Sequence, residues 1–444
     1  GSNSITDAGA AFDTILFYWV QARRSSDGAV SDLAGPVTGW RPDNGDDSPP
    51  TDGGGNGGSG SGIQTPGEVA ESPAETETGY SSDLAGRYFG LIHDAGASDS
   101  ETLLNGSVGA TVTHLRRADL GVATLVFTYE GRRYRTRAVA TENGELIGGF
   151  TKRDDDRSAM SFLLHFVETD AGRKLVGELS GDGRTSLVEL CQRSLHPRHN
   201  PAEIAGRYTL VMPGTPDADT ALLPGGDGAA VGRIALNGIG RFVGWLGDGT
   251  PISFVAFSGP DQELMFYRPV YAGTARGWIG GKLTFREITD ISDADGMLHW
   301  VKNANHRQRR YAEGFDLQQE AVLSVYERPV PRDGRFFVLD TFPDESNNGL
   351  LSLAGAGLST GLDTERIDWN RGNRFRYDTE QFRIFGRAVP GTGCFKGVCI
   401  DQENRTRLPF RGVAFQKQDL VTGTLRGPDS TGFISVEANP ALLR

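Results

Sequence analysis

The sequence predicts an all-β chain of consecutive antiparallel meander modules, small barrels or sandwiches, on three observations. Apolar side chains alternate with polar ones in run after run: Leu125, Phe127 and Tyr129 share one face, and Met160, Phe162, Leu164 and Phe166 share another. That period of two belongs to a sheet with one face buried. The runs are short and stop at Gly, Pro or Asp, and Gly, with 61 copies in 444 residues, follows no collagen period, which suits tight turns between strands. Ala85-Gly86-Arg87-Tyr88 also returns as Ala205-Gly206-Arg207-Tyr208, so a β-module is repeated. No long stretch carries a helical period, and helix is expected to be minor.

Residues 1–42 open the chain. Leu16 to Arg23 reads as a strand, Ser25-Ser26-Asp27-Gly28 as a turn, and Gly35-Pro36-Val37-Thr38-Gly39-Trp40 as the start of a second extended segment. Two or three strands cannot bury a sandwich core alone. Tyr18-Trp19-Val20-Gln21-Ala22 and the Gly-Pro segment after it resemble the C-terminal half of a fibronectin type III domain. That resemblance implies a fragment of a longer, multidomain chain. Residues 43–82 hold almost no apolar side chains, so ordering them would cost entropy with no burial to offset it, and a flexible linker is expected.

Three β-modules follow. The first spans residues 83–197 and ends in a connector, Ser194-Leu195-His196-Pro197-Arg198-His199-Asn200-Pro201. The second spans residues 198–304, where Tyr208, Leu210 and Met212 line one face and glycines such as Gly244, Gly280 and Gly281 suit the bends of a curved sheet. The third spans residues 305–444 and closes on a hairpin that includes Phe410 to Gln418; whether it shares the second module's core is left open.

Modules two and three carry Asp227-Gly228, Gly244-Trp245-Leu246-Gly247-Asp248-Gly249-Thr250, Gly277-Trp278-Ile279-Gly280-Gly281-Lys282-Leu283-Thr284-Phe285, Leu298-His299-Trp300-Val301-Lys302, and Phe410 to Gln418 followed by Gly423 and Gly427. These phrases resemble the C-terminal β-repeat regions of large secreted surface proteins of Verrucomicrobia-like bacteria. The resemblance implies an extracellular, cell-surface, non-enzymatic element, and it brings no catalytic residues with it.

Little in the chain points to chemistry. A net charge of −12 opposes nucleic-acid binding through phosphates. No apolar run is long enough for a membrane-spanning helix. No G-x-S-x-G elbow, Walker loop or dinucleotide fingerprint occurs, and a glycosidase pair of carboxylates is set in three dimensions that the sequence does not give. Of three cysteines, Cys394 and Cys399 fall on opposite faces of one strand, roughly 16 Å apart and too far to bridge. His196 and His199 lack the spacing and partners of a zinc site. Asp154, Asp155 and Asp156, and the run Asp290 to Gly296, read as acidic turns or as weak calcium ligands. No cofactor or metal is expected.

Two surfaces are left. Arg133, Arg135 and Arg137 project from one face of a strand, near Arg116, Arg117 and Arg132, so they either track an acidic polysaccharide or decorate an edge. Trp245, Trp278 and Trp300 either offer stacking surface to sugars or pack in the core. The sequence thus predicts a non-catalytic structural or adhesive portion of a surface protein, with a carbohydrate-binding module as the alternative and a polysaccharide or other surface polymer as the partner.

Overall fold

The computed structural model describes residues 15–20, 34–40 and 76–77 as backbone strands, and residues 80–96, 103–116, 120–153, 157–170, 172–214, 219–271, 276–330, 337–339, 341–342 and 345–442 with side chains. Most of the expected linker, Arg117, and Asp154, Asp155 and Asp156 lie outside the described residues. The chain divides into two units, Gly1–Glu71 and Ser72–Arg444. In the first, β1 (Ile15–Val20) and β2 (Ala34–Trp40) pair antiparallel, with Tyr18 opposite Val37.

The second unit is three closed or nearly closed meanders. In the first, β3 (Thr76–Glu77) adds to a sheet of β4 (Gly86–Asp94), β5 (Leu104–Leu115), β6 (Leu120–Tyr129), β7 (Arg132–Val139), β8 (Glu145–Thr151), β9 (Ala159–Thr169), β10 (Gly172–Gly181) and β11 (Arg184–Gln192). The last strand returns to the first, Val188 opposite Ile92. The seam between β7 and β8 is held by a bridge from Ala140 to Leu146 and by Thr136 Oγ1 donating to the Gly149 carbonyl at 2.9 Å. The chain is therefore already folded onto this barrel at Thr76, before the linker was expected to end.

The second meander is a closed barrel of β12 (Gly206–Met212), β13 (Gly228–Ile234), β14 (Ile239–Trp245), β15 (Pro251–Ser258), β16 (Glu263–Val270), β17 (Gly277–Ile288), β18 (Ser292–Lys302) and β19 (Phe315–Val325), shut by Leu210 opposite Leu323. The third comprises β20 (Gly349–Gly355), β21 (Leu362–Ile367), β22 (Arg374–Asp378), β23 (Phe382–Val389), β24 (Cys394–Asp401), β25 (Thr406–Phe415), β26 (Leu420–Arg426) and β27 (Thr431–Ala438), with Leu353 opposite Ile434. Among the described residues, the helical pieces are three-residue 3-10 turns, and no helix is long and apolar enough to cross a membrane.

The boundary drawn after residue 304 is corrected by β19, which contributes Ala321 and Leu323 to the second core. The loop before it, rich in Arg, Gln and Asn, has the composition of a linker yet connects two strands of one barrel, β18 and β19. The third barrel has its own core around Trp369, Phe375, Phe395 and Phe410. Between the two lies a separate apolar contact patch of Val211, Ala229, Val322, Val413 and Phe415.

Alternation builds these cores. Strand β6 is buried at every second residue. Inside the second barrel Phe242, Phe254 and Phe266 stack with centroids 5.1 and 4.1 Å apart. Phe242 lies flat over β13, where a Cβ on Gly232 would sit 2.2 Å from its ring; the glycine is needed because the aromatic already fills the space. Gly386 plays the same part under Phe375 in the third barrel, with 2.0 Å to the ring.

The repeated Ala-Gly-Arg-Tyr phrase has a structural cause. Tyr88 Oη donates to the Leu84 carbonyl and Tyr208 Oη to the Ile204 carbonyl, each at 2.8 Å. Each ring enters its core while its hydroxyl ties off the chain that leads into the first strand. Each bond lies where a lost donor leaves a carbonyl unpaired, so Tyr88→Phe and Tyr208→Phe should each cost about 1 kcal/mol. Urea unfolding of the two variants reads this directly.

Candidate functional site

On β7, Tyr134 and Ala138 belong to the first core. Strand geometry then sends Arg133, Arg135 and Arg137 to the opposite face, and all three are exposed. They stand opposite Thr128, Val126 and Thr124 of β6. The rows continue across β5 and β4: Val126 faces Gly109, which faces Phe89, and Thr124 faces Thr111, which faces Arg87. Three inter-strand steps make a floor about 14 Å wide.

This floor belongs to an open cleft of about 400 Å³. Arg133 and Arg135 line one side, Arg87 and Arg193 the other, and Phe257 of the second barrel completes it. No carboxylate is in the lining. The Phe89 and Phe257 rings lie 4.2 Å apart, and the Arg193 guanidinium sits 4.9 Å from the centre of the Phe257 ring. Arg193 also donates its backbone N–H to the Arg87 carbonyl at 2.8 Å. Burial, followed by the like charge of Arg87, pushes the Arg193 guanidinium below its ordinary pKa. Arg137 continues the row but lies beyond the lining.

Sequence reasoning named Arg133 and Arg135 but missed Arg87, Arg193 and Phe257. Arg87 stood in the repeated phrase. The other two carry no local signal, since the joint between two barrels brings them there. The tryptophans lie elsewhere. Trp278 is buried between the first two barrels with Leu91, Leu104, Cys191, Met265, Tyr267 and Val301, and its Nε1 donates to the Leu104 carbonyl at 2.7 Å. Trp245 is at the far end of the β14–β15 hairpin from Phe257, half-buried with the Arg411 guanidinium 4.7 Å from its ring centre. Trp300 is in the second core.

The side chains best equipped for chemistry are taken up in joints and plugs. Leu104 N–H donates to His299 Nδ1 at 2.8 Å, and His299 Nε2 meets Asp316 Oδ1 at 2.6 Å. Gly131 N–H donates to Tyr267 Oη at 3.0 Å. At one end of the second barrel Asp248 accepts from the Thr250 N–H and hydroxyl and from Tyr271 Oη, each at 2.8 Å, and Trp300 Nε1 donates to Tyr271 Oη at 3.2 Å. Burial, then Asp248, holds the Tyr271 phenol well above its ordinary pKa. Lys302 donates to the Arg310 carbonyl at 2.8 Å beneath the rings of Tyr271 and Tyr311, and burial lowers its pKa.

The acidic run Asp290 to Gly296 is also engaged. Asp295 pairs with Arg286, and Asp293 accepts from the Val325 N–H at 2.6 Å and from Lys417 Nζ at 3.0 Å. His196 and His199 stack on one another with centroids 4.9 Å apart. Among the described residues, no group of three His, Cys, Asp or Glu is arranged to hold a metal ion. All three cysteines are free, and burial pushes the thiols of Cys191 and Cys399 up to about 12.

No family model and no curated protein matches the chain. Two solved structures are matched at low scores. A putative outer membrane protein from Bacteroides fragilis is 9% identical with a TM-score of 0.18, over 54% of this chain and 96% of its own. The isotype 1 transferrin binding protein B from serogroup B Neisseria meningitidis is 11% identical with a TM-score of 0.20, over 79% of this chain and 68% of its own. Likeness at those scores says nothing about what this chain does.

Asp227, between the second and third barrels, accepts from the Gly214 N–H at 2.8 Å and from the Thr422 hydroxyl at 2.5 Å. Burial nonetheless raises its pKa above the ordinary carboxylate value. A raised folded-state pKa stabilises fully below the unfolded value and loses that contribution as pH rises through the folded one. Asp227→Asn keeps an acceptor for Gly214 and removes the charge. Its melting temperature should therefore gain on that of the unmutated chain between about pH 4 and pH 7, by calorimetry at both values.

Proposed function

We propose that the chain is a non-catalytic structural and adhesive segment of a large bacterial surface protein, presenting the outer faces of three barrels that are locked to one another. The observation that carries this reading is the use made of buried and half-buried polar groups. Asp227, His299, Tyr311 and Gln416, which in other settings perform acid–base work or bind ligands, here join one barrel to the next.

The second joint makes the point. Thr424 Oγ1 donates to the Asp227 carbonyl at 2.7 Å, and Thr431 N–H donates to Tyr311 Oη at 3.0 Å. Gln416 exchanges two bonds with the backbone of Glu327, at 2.8 and 3.0 Å, and Lys417 reaches Asp293 and Glu287 of the second barrel. The phrase Phe410 to Gln418, read from the sequence as a closing hairpin, is the clasp. Hydrogen bonds across a joint, from the buried Tyr311 bond to the exposed Gln416 pair, hold best when every member is satisfied, and a segment built this way transmits load between its ends. The extracellular setting rests on the resemblance of the repeat phrases to bacterial surface proteins.

A second reading, polysaccharide binding, is favoured by the cleft between Arg133, Arg135, Arg87 and Arg193. Calorimetry of the full chain tests the first. The second and third barrels should melt in one transition, and Gln416→Ala with Lys417→Ala should split or broaden it. Separate melting in the unmutated chain would contradict the locked arrangement. Release of reducing ends from a polysaccharide panel would contradict the non-catalytic assignment.

A further inference from the structure

We infer that the open cleft over β4 to β7 binds the oxyanions of an acidic polysaccharide, with Arg87, Arg133, Arg135 and Arg193 as its contacts. This deepens the adhesive reading and rests on it. On a chain of net charge −12, four guanidinium groups gather around one depression whose lining has no carboxylate. Arg193 is pre-positioned: its backbone is bonded to Arg87 and its guanidinium is stacked over Phe257. A planar guanidinium fixed in this way presents paired N–H donors that match a carboxylate or a sulfate.

The chemistry between the arginines favours sugar over nucleic acid. Single-stranded nucleic acid is held by bases stacked on free aromatic faces. The aromatic side chains of the cleft are Tyr88, Phe89 and Phe257. Tyr88 is in the first core, and Phe89 and Phe257 pack against each other, tilted by 36°, with Arg193 over the latter. Thr111 and Thr124 lie opposite one another on the floor, offering hydroxyls between the positive groups. Gly109 gives the floor its depth: a Cβ there would find its nearest neighbour, the Tyr88 carbonyl oxygen, at 3.9 Å. A side chain at 109 therefore fits the strand and fills the cleft.

The test uses the full chain against a polyuronate, a sulfated glycan, neutral dextran and single-stranded DNA, with affinity read by titration calorimetry. Binding of the polyuronate or the sulfated glycan, but not of dextran, is expected, and comparing those two separates carboxylate from sulfate recognition. Arg133→Gln with Arg135→Gln should weaken it by about tenfold or more. Gly109→Leu should abolish it with no change of charge. Arg137→Gln, in the same row but outside the lining, should weaken it less per arginine removed than the double variant does. Melting curves confirm that each variant is folded.

A loss in Arg137→Gln as large, per arginine removed, as in Arg133→Gln with Arg135→Gln would mean diffuse surface charge and overturn the site. Full binding by Gly109→Leu would do the same, and DNA bound as tightly as the glycans would overturn the ligand class. If no anionic glycan binds, the cleft is not a site, and the locked surface segment still stands or falls on its own melting behaviour.

Discussion

The ladder between the first and last long strand of each meander, with Ile92 opposite Val188, Leu210 opposite Leu323 and Leu353 opposite Ile434, curls each sheet round on itself; it closes the second into a barrel, while the first stays open between β7 and β8 and the third between β21 and β22. Closure removes the open edges of the second sheet, and curling brings the edges of the first and third together at one seam each. It also fixes, for every strand, which residues face the core. Once Tyr134 and Ala138 are inside the first barrel, Arg133, Arg135 and Arg137 are outside it. The cleft is a consequence of the core pattern, given its depth by Gly109 and its far wall by the second barrel.

The joints depend on the same closure. Closed barrels offer few free backbone groups, and these lie at turns and strand starts. The second barrel satisfies those of its neighbours with side chains: Trp278 and His299 hold both polar atoms of the Leu104 backbone, and Tyr311 holds the Thr431 N–H. Docked without these partners, such groups would be buried unpaired at a cost of about 1–3 kcal/mol each, so the joint needs these side chains as well as the apolar patch. Tyr, Trp and His at these positions serve as both packing and hydrogen-bond partners.

Alternation made most of the strands legible. Leu125, Phe127 and Tyr129, or Met160 through Phe166, announce one buried face whatever the neighbours are. Register within a hairpin is equally local. What was not legible depends on closure and docking. The strand Phe315–Val325 fell in the third module when read from the sequence; its pairing with β18 on one side and with Leu210 and Val211 on the other places it in the second barrel. Trp278 and Trp245 have the same strand context as exposed aromatics, and their burial is decided by Leu104 and Arg411, far off in sequence. Arg193 and Phe257 meet for the same non-local reason.

Hydrogen exchange of three backbone amides tests most directly whether the barrels form one locked segment. Leu104, Gly131 and Thr431 each donate to a side chain of another barrel, His299, Tyr267 and Tyr311 respectively. Locked barrels predict that these amides exchange as slowly as ladder amides in the cores, such as those of Phe127 and Leu323. Exchange at the rate of exposed turns would mean that the barrels part readily, and the locked arrangement would be wrong.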